Sequence, residues 1–108
     1  MTQYVSEQGL LILIAPLSLE ETLVDILLQK PEISGFTASY VSGHGRELAQ
    51  SMTLLSMVEQ VSGRQKRVQF MMHAGFSQLR TLITEFKQVY GNMGLHYILM
   101  PVTEAQSL

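Results

Sequence analysis

Ser42 to Arg67 reads SGHGRELAQSMTLLSMVEQVSGRQKR, opening with Gly43-His44-Gly45-Arg46 and closing with Gly63-Arg64-Gln65-Lys66-Arg67. On either side of it the chain runs through the same patterns: a strand-like run, a helical stripe and a second strand-like run. Glycines and cations gather at the two ends of this connection. If those ends return to the same edge of a sheet, the cations are brought together. Connections of this length in a compact domain are more often functional or disordered than incidental. The stretch divides the chain into two βαβ halves and is itself the expected working part.

In the first half, Gly9-Leu10-Leu11-Ile12-Leu13-Ile14-Ala15 is apolar at consecutive positions, which predicts a strand covered on both faces. Pro16 ends it. Ser18 with Glu21 has capping-box spacing, and Leu19, Leu23, Ile26 and Leu27 form one helical stripe before Pro31. Gly35 to Val41, GFTASYV, is rich in aromatic and β-branched residues and reads as the second strand. Within the central stretch Ser56 and Glu59 repeat the capping spacing, so residues 53–62 read equally as a short helix or as a strand extension.

In the second half, Arg67 to Ala74 puts Val68, Phe70 and Met72 on one strand face and Arg67, Gln69, Met71 and His73 on the other. Ser77 is the expected cap of a second helix whose inward stripe is Leu79, Leu82, Ile83, Phe86 and Val89, with Gly91 as terminator. Leu95 to Met100 is the fourth strand, followed by Pro101, and residues 103–108 are a polar tail.

The order βαβ, long loop, βαβ with right-handed crossovers predicts an α+β, ferredoxin-like βαββαβ fold. One domain spans residues 1–108, with a four-stranded antiparallel sheet carrying both helices on one face. The other face, judged from the run Leu10 to Ile14 and from Met71 and Met93, is too apolar to stay bare. Self-association through it is the simplest remedy.

Composition narrows the function. A net charge of -2 and a pI near 5.8 argue against nucleic acid, which needs a basic face. The absence of cysteine excludes disulfides, iron-sulfur clusters and thiolate metal sites, and suits a reducing, cytoplasmic location. The longest apolar run is far short of the roughly 20 residues that span a bilayer, so no direct membrane insertion is expected. At 46% hydrophobic residues and a mean hydropathy of +0.18, the chain is nevertheless apolar for a small domain.

The fold alone assigns no activity. The third strand lacks the glycine and aromatic pattern with which RNA-recognition modules stack bases. Soft-metal carriers of this plan need a cysteine pair, and an acylphosphatase needs an anion-cradling loop with an arginine after the first strand, where this chain has Pro16-Leu17-Ser18. No nucleophile and base pair can be named, so no enzymatic activity is expected.

Val41-Ser42-Gly43-His44-Gly45-Arg46 resembles the entry to the T-loop of PII signalling proteins. Ser56 to Val68 and Gly94-Leu95-His96-Tyr97 more specifically resemble an uncharacterised family of small PII-like proteins encoded beside heavy-metal efflux pumps. The similarity runs from Leu10 to Val102. It implies a homotrimer with small-ligand clefts between subunits and a loop, residues 42–67, that contacts a partner, a heavy-metal efflux system in this family's setting. On that resemblance the ligand-binding candidates are Gly43, His44, Gly45, Arg46, Glu59, Arg64 and Arg67. The place where PII proteins hold nucleotide phosphates is here Tyr90-Gly91-Asn92-Met93-Gly94, without a lysine, so the cofactor is left unknown.

Plainer readings stand beside these. Gly43-His44-Gly45 also suits a tight strand exit, and Glu59 suits a helix cap. Arg64, Lys66 and Arg67 read as solvated strand-edge charges or, with Arg46, as an anion site. The alternative function is a metal-binding sensor or chaperone in which His44 joins Glu59 or the methionines Met52 and Met57.

Overall fold

The computed structural model describes residues 7–45 and 65–108. Strand β1 is Gln8–Pro16, a 3-10 turn covers Leu17–Leu19, and helix α1 is Glu20–Leu28. Strands β2, Thr37–Gly43, and β3, Gln65–Gly75, precede helix α2, Phe76–Tyr90, and strand β4, His96–Val102. The sheet is antiparallel in the order β2-β3-β1-β4, the ferredoxin-like arrangement expected from two βαβ halves.

The core lies between the helices and one face of the sheet. Leu11, Leu13 and Ala15 of β1 and Val68, Phe70, Met72 and Ala74 of β3 meet Leu23 and Leu27 of α1 and Leu79, Leu82, Ile83 and Phe86 of α2. Full burial of such a side chain contributes about 1.5–3 kcal/mol, so these alternating positions dominate the packing energy. Lys30 bonds Glu85 at 2.7 Å and clips the end of α1 to α2.

Several local expectations change. The apolar run of β1 alternates between buried and half-buried residues, so within one chain only its helix-side face is fully covered. Ser18 does not cap α1: it lies inside the 3-10 turn, and Leu19 occupies the cap position with no side-chain bond. Glu20 and Glu21 in the first turn complement the helix dipole instead. Strand β2 begins two residues later than expected, because Phe36 leaves the strand path to set its ring edge-on against Phe70, centroids 5.9 Å apart.

The second helix starts at Phe76 directly from β3, ahead of Ser77. Its cap is Gly75, whose N–H donates to Gln78 Oε1 at 3.2 Å. A Cβ on Gly75 would lie 2.7 Å from that oxygen, which explains the glycine. Val89 is 64% exposed, and Tyr90, edge-on to Phe86 at 6.0 Å, extends the stripe in its place. Pro101 lies within β4, which among the described residues is an edge strand paired with β1; an edge strand tolerates the missing N–H. Met93 sits in the turn before β4, off the sheet face.

Candidate functional site

The register puts every strand end near the central stretch at one end of the sheet. Gly43 pairs with Gln65, Ser42 with Lys66 and Val41 with Arg67, so the two ends of the long connection do return to one place. Arg67 in turn faces Pro16, the last residue of β1. His96 pairs with Ile14, which brings the turn before β4 to the same end.

Arg67 is the organising side chain. It is only 4% exposed, against the sequence reading of a solvated edge cation. Its Nη1 donates to the Gly94 carbonyl at 2.7 Å and its Nη2 to Gln65 Oε1 at 2.7 Å. The planar guanidinium fork suits two acceptors at once, and burial without them would be costly. Gly94 adopts φ of +80°, a region glycine enters without the Cβ penalty, which helps aim its carbonyl inward. Lys66, one residue earlier, alternates to the other face and is exposed.

Of the sequence-predicted residues, Gly43 ends β2, while His44 and Gly45 follow it at the surface, Gly45 with φ of +139°. His44 is thus exposed just beyond the end of β2. Arg46, Glu59 and Arg64 lie outside the described residues, as does the choice between helix and strand for 53–62. Gln65 and Gly94 belong to this cluster and were not among the candidates. The sequence signal was present for Gly94, a glycine immediately before a strand, but nothing local links it to Arg67.

Beside this cluster lies the helix-free face of the sheet. By strand alternation and register, Leu10, Ile12 and Ile14 form its central row, flanked by Met71 on β3 and by Ile98 and Met100 on β4. Met71, Ile98 and Met100 are 38%, 42% and 40% exposed. Polar Thr37, Ser39 and Gln69 border it on the β2 side. No group of three metal-ligating side chains gathers among the described residues, and none of their helices is long and apolar enough to cross a membrane.

A family model described as "Protein of unknown function (DUF3240)" matches residues 5–108. The crystal structure of a DUF3240 family protein from Shewanella baltica OS155 is similar at 24% identity and a TM-score of 0.74, covering 96% of this chain and 99% of that one. A Bacillus cereus protein related to NIF3 is similar at 14% identity and a TM-score of 0.67; the match covers 96% of this chain but 27% of that larger one. At these identities the likeness is one of fold. No curated protein matches the chain.

Proposed function

Since the chain belongs to the DUF3240 family, we propose that it is a non-enzymatic, homotrimeric, PII-like regulatory protein of the cytoplasm that binds a small ligand at clefts between subunits. Residues 42–67 contact a partner, which the resemblance to PII-like proteins makes a heavy-metal efflux system. The observation that carries this reading is the helix-free sheet face, apolar along Leu10, Ile12 and Ile14 and bordered at one end by both ends of the long connection. Copies packed through that face cover apolar surface that a lone chain leaves to water, and they bring loop mouths next to neighbouring subunits. Gly43, His44 and Gly45 then face the cleft, with Arg67 holding the floor from within, and Arg46, Glu59 and Arg64 are the further ligand candidates.

Sedimentation velocity at micromolar concentration, with native mass spectrometry against a panel of metals and nucleotides, tests it. A trimer that gains a stoichiometric ligand is expected. A stable monomer overturns the reading.

The metal-sensor alternative is favoured by one observation, the exposure of His44 at the loop mouth. Its remaining donors must come from Glu59, a loop methionine or a neighbouring subunit. Titration with Zn, Cu and Ni should saturate at a definite stoichiometry and weaken in His44→Ala; no binding of any of the three removes it.

A further inference from the structure

On the helix side of the sheet, the C-terminal half of α2, the turn that follows it and the edge strand β4 leave a cleft of about 160 Å³ between them. Leu13, Ile83 and Phe86 form its buried floor, Tyr90 is a half-buried wall, and Tyr97 and Lys87 stand exposed at its mouth. We propose that this cleft binds a small monocyclic aromatic carboxylate.

Size, wall chemistry and charge point the same way. A cavity of about 150 Å³ lined by aliphatic and aromatic side chains is known to take a benzene ring, so this one has room for one ring. Three of the surrounding side chains are aromatic. Phe86 and Tyr90 are already edge-on to each other, with ring planes at 72°, and a ring inserted beside them finds the offset and edge contacts that aromatic pairs prefer.

The charge at the mouth selects the polar end. Lys87 Nζ stands 5.3 Å from the centre of the Tyr97 ring, so the ammonium is held at the opening by a cation–π contact. The nearest acid on its own helix, Glu85, is engaged by Lys30. A carboxylate at the mouth meets this cation, whereas an ammonium is repelled by it. The last carbonyls of α2 disfavour an anion, which places the carboxylate beside Lys87 rather than towards Gly91. Among the described residues the lining comes from a single chain and includes none of 42–45 or 65–67.

The test is an NMR titration of the full chain with benzoate, benzyl alcohol and benzylamine, following the methyl groups of Leu13, Ile83 and Leu95. Benzoate should shift these methyls saturably in the millimolar range. Benzyl alcohol should bind about fivefold more weakly, the size of a partly exposed charge pair, and benzylamine should not bind. Lys87→Met, at an exposed position, should bring benzoate down to the level of benzyl alcohol. Leu95→Trp, which fills the cleft from its rim, should abolish the binding of both benzoate and benzyl alcohol. The proposal is overturned if benzoate gives no saturable shift, if its shifts lie elsewhere, if Lys87→Met leaves benzoate affinity unchanged, or if the cleft is covered by a second copy of the chain.

Discussion

Arg67 and Gly94, 27 residues apart in the chain, are joined by a 2.7 Å hydrogen bond from the guanidinium to the carbonyl oxygen. The bond crosses the end of the sheet beside Pro16, so the exit of the long connection, the end of β1 and the turn before β4 are tied as one unit. Any change in where Gln65 sits is felt at Gly94 through a single side chain, because the same guanidinium also holds Gln65.

Replacing Arg67 with Met keeps most of the aliphatic stem but removes the donor to the Gly94 carbonyl and to Gln65 Oε1. Both bonds are part-buried and charge-assisted, so the expected loss is about 1–3 kcal/mol in urea unfolding. Arg67→Lys should fall between the two, since one ammonium cannot reproduce the fork. Equal stability of Arg67→Met and wild type would show that the bond contributes nothing net.

Tyr40 gives a pH signature. Its hydroxyl donates to both oxygens of Glu20, at 2.9 and 3.1 Å, and that hydrogen bond, followed by the charge of Glu20, raises its pKa above the ordinary 10.0. A raised pKa in the folded state means that the stabilisation is fully present below the unfolded value and is lost as pH rises through the folded one. The contact should therefore hold at neutral pH and disappear only in the alkaline range. Phenolate absorbance should show a late-titrating tyrosine that vanishes in Tyr40→Phe and returns towards the ordinary range in Glu20→Gln. Lys30, raised chiefly by its bond to Glu85, follows the same sign.

The strand and helix stripes were legible because they rest on periodicity. Val68, Phe70 and Met72 are buried on one face as their spacing requires, and Leu79, Leu82, Ile83 and Phe86 line the inner side of α2. Helix starts were less legible: Ser18 and Ser77 have the right chemistry, but a 3-10 turn displaces one, and Gly75 with Gln78 pre-empts the other. Arg67 was misread for a different reason. Its neighbours Lys66 and Gln65 are polar, and its burial is compensated by hydrogen bonds to Gln65 and, 27 residues away, to Gly94. The meeting of the two ends of the connection at Gly43 and Gln65 was thus legible, and the long-range hydrogen bonds beside it were not.

The helix-free face separates a monomer from an assembly. Ile98 is 42% exposed, so in an isolated chain Ile98→Glu should change stability by no more than about 0.5 kcal/mol, as surface substitutions do. In a trimer packed through that face the same change buries a carboxylate against Ile12, its cross-strand neighbour, and should dissociate the assembly. Sedimentation of wild type and variant under identical conditions gives the answer. An assembly that survives Ile98→Glu places the interface elsewhere.

The pairing of Gly43 with Gln65 has a direct consequence for the connection between them. Two strands already in register at that point need only a short turn, so excising residues 46–64 and joining Gly45 to Gln65 through a few glycines should leave β2 and β3 paired. A shorter connection has a lower closure entropy cost, which falls with the logarithm of its length, here by about 1 kcal/mol. The excised protein should therefore unfold at an equal or higher urea concentration while keeping its oligomeric state. On the function proposed above, it should also lose partner binding and the ligand affinity assigned there to Arg46, Glu59 and Arg64. Collapse of the fold on excision would mean that the connection is part of the scaffold, and the division of labour between sheet and loop would have to be abandoned.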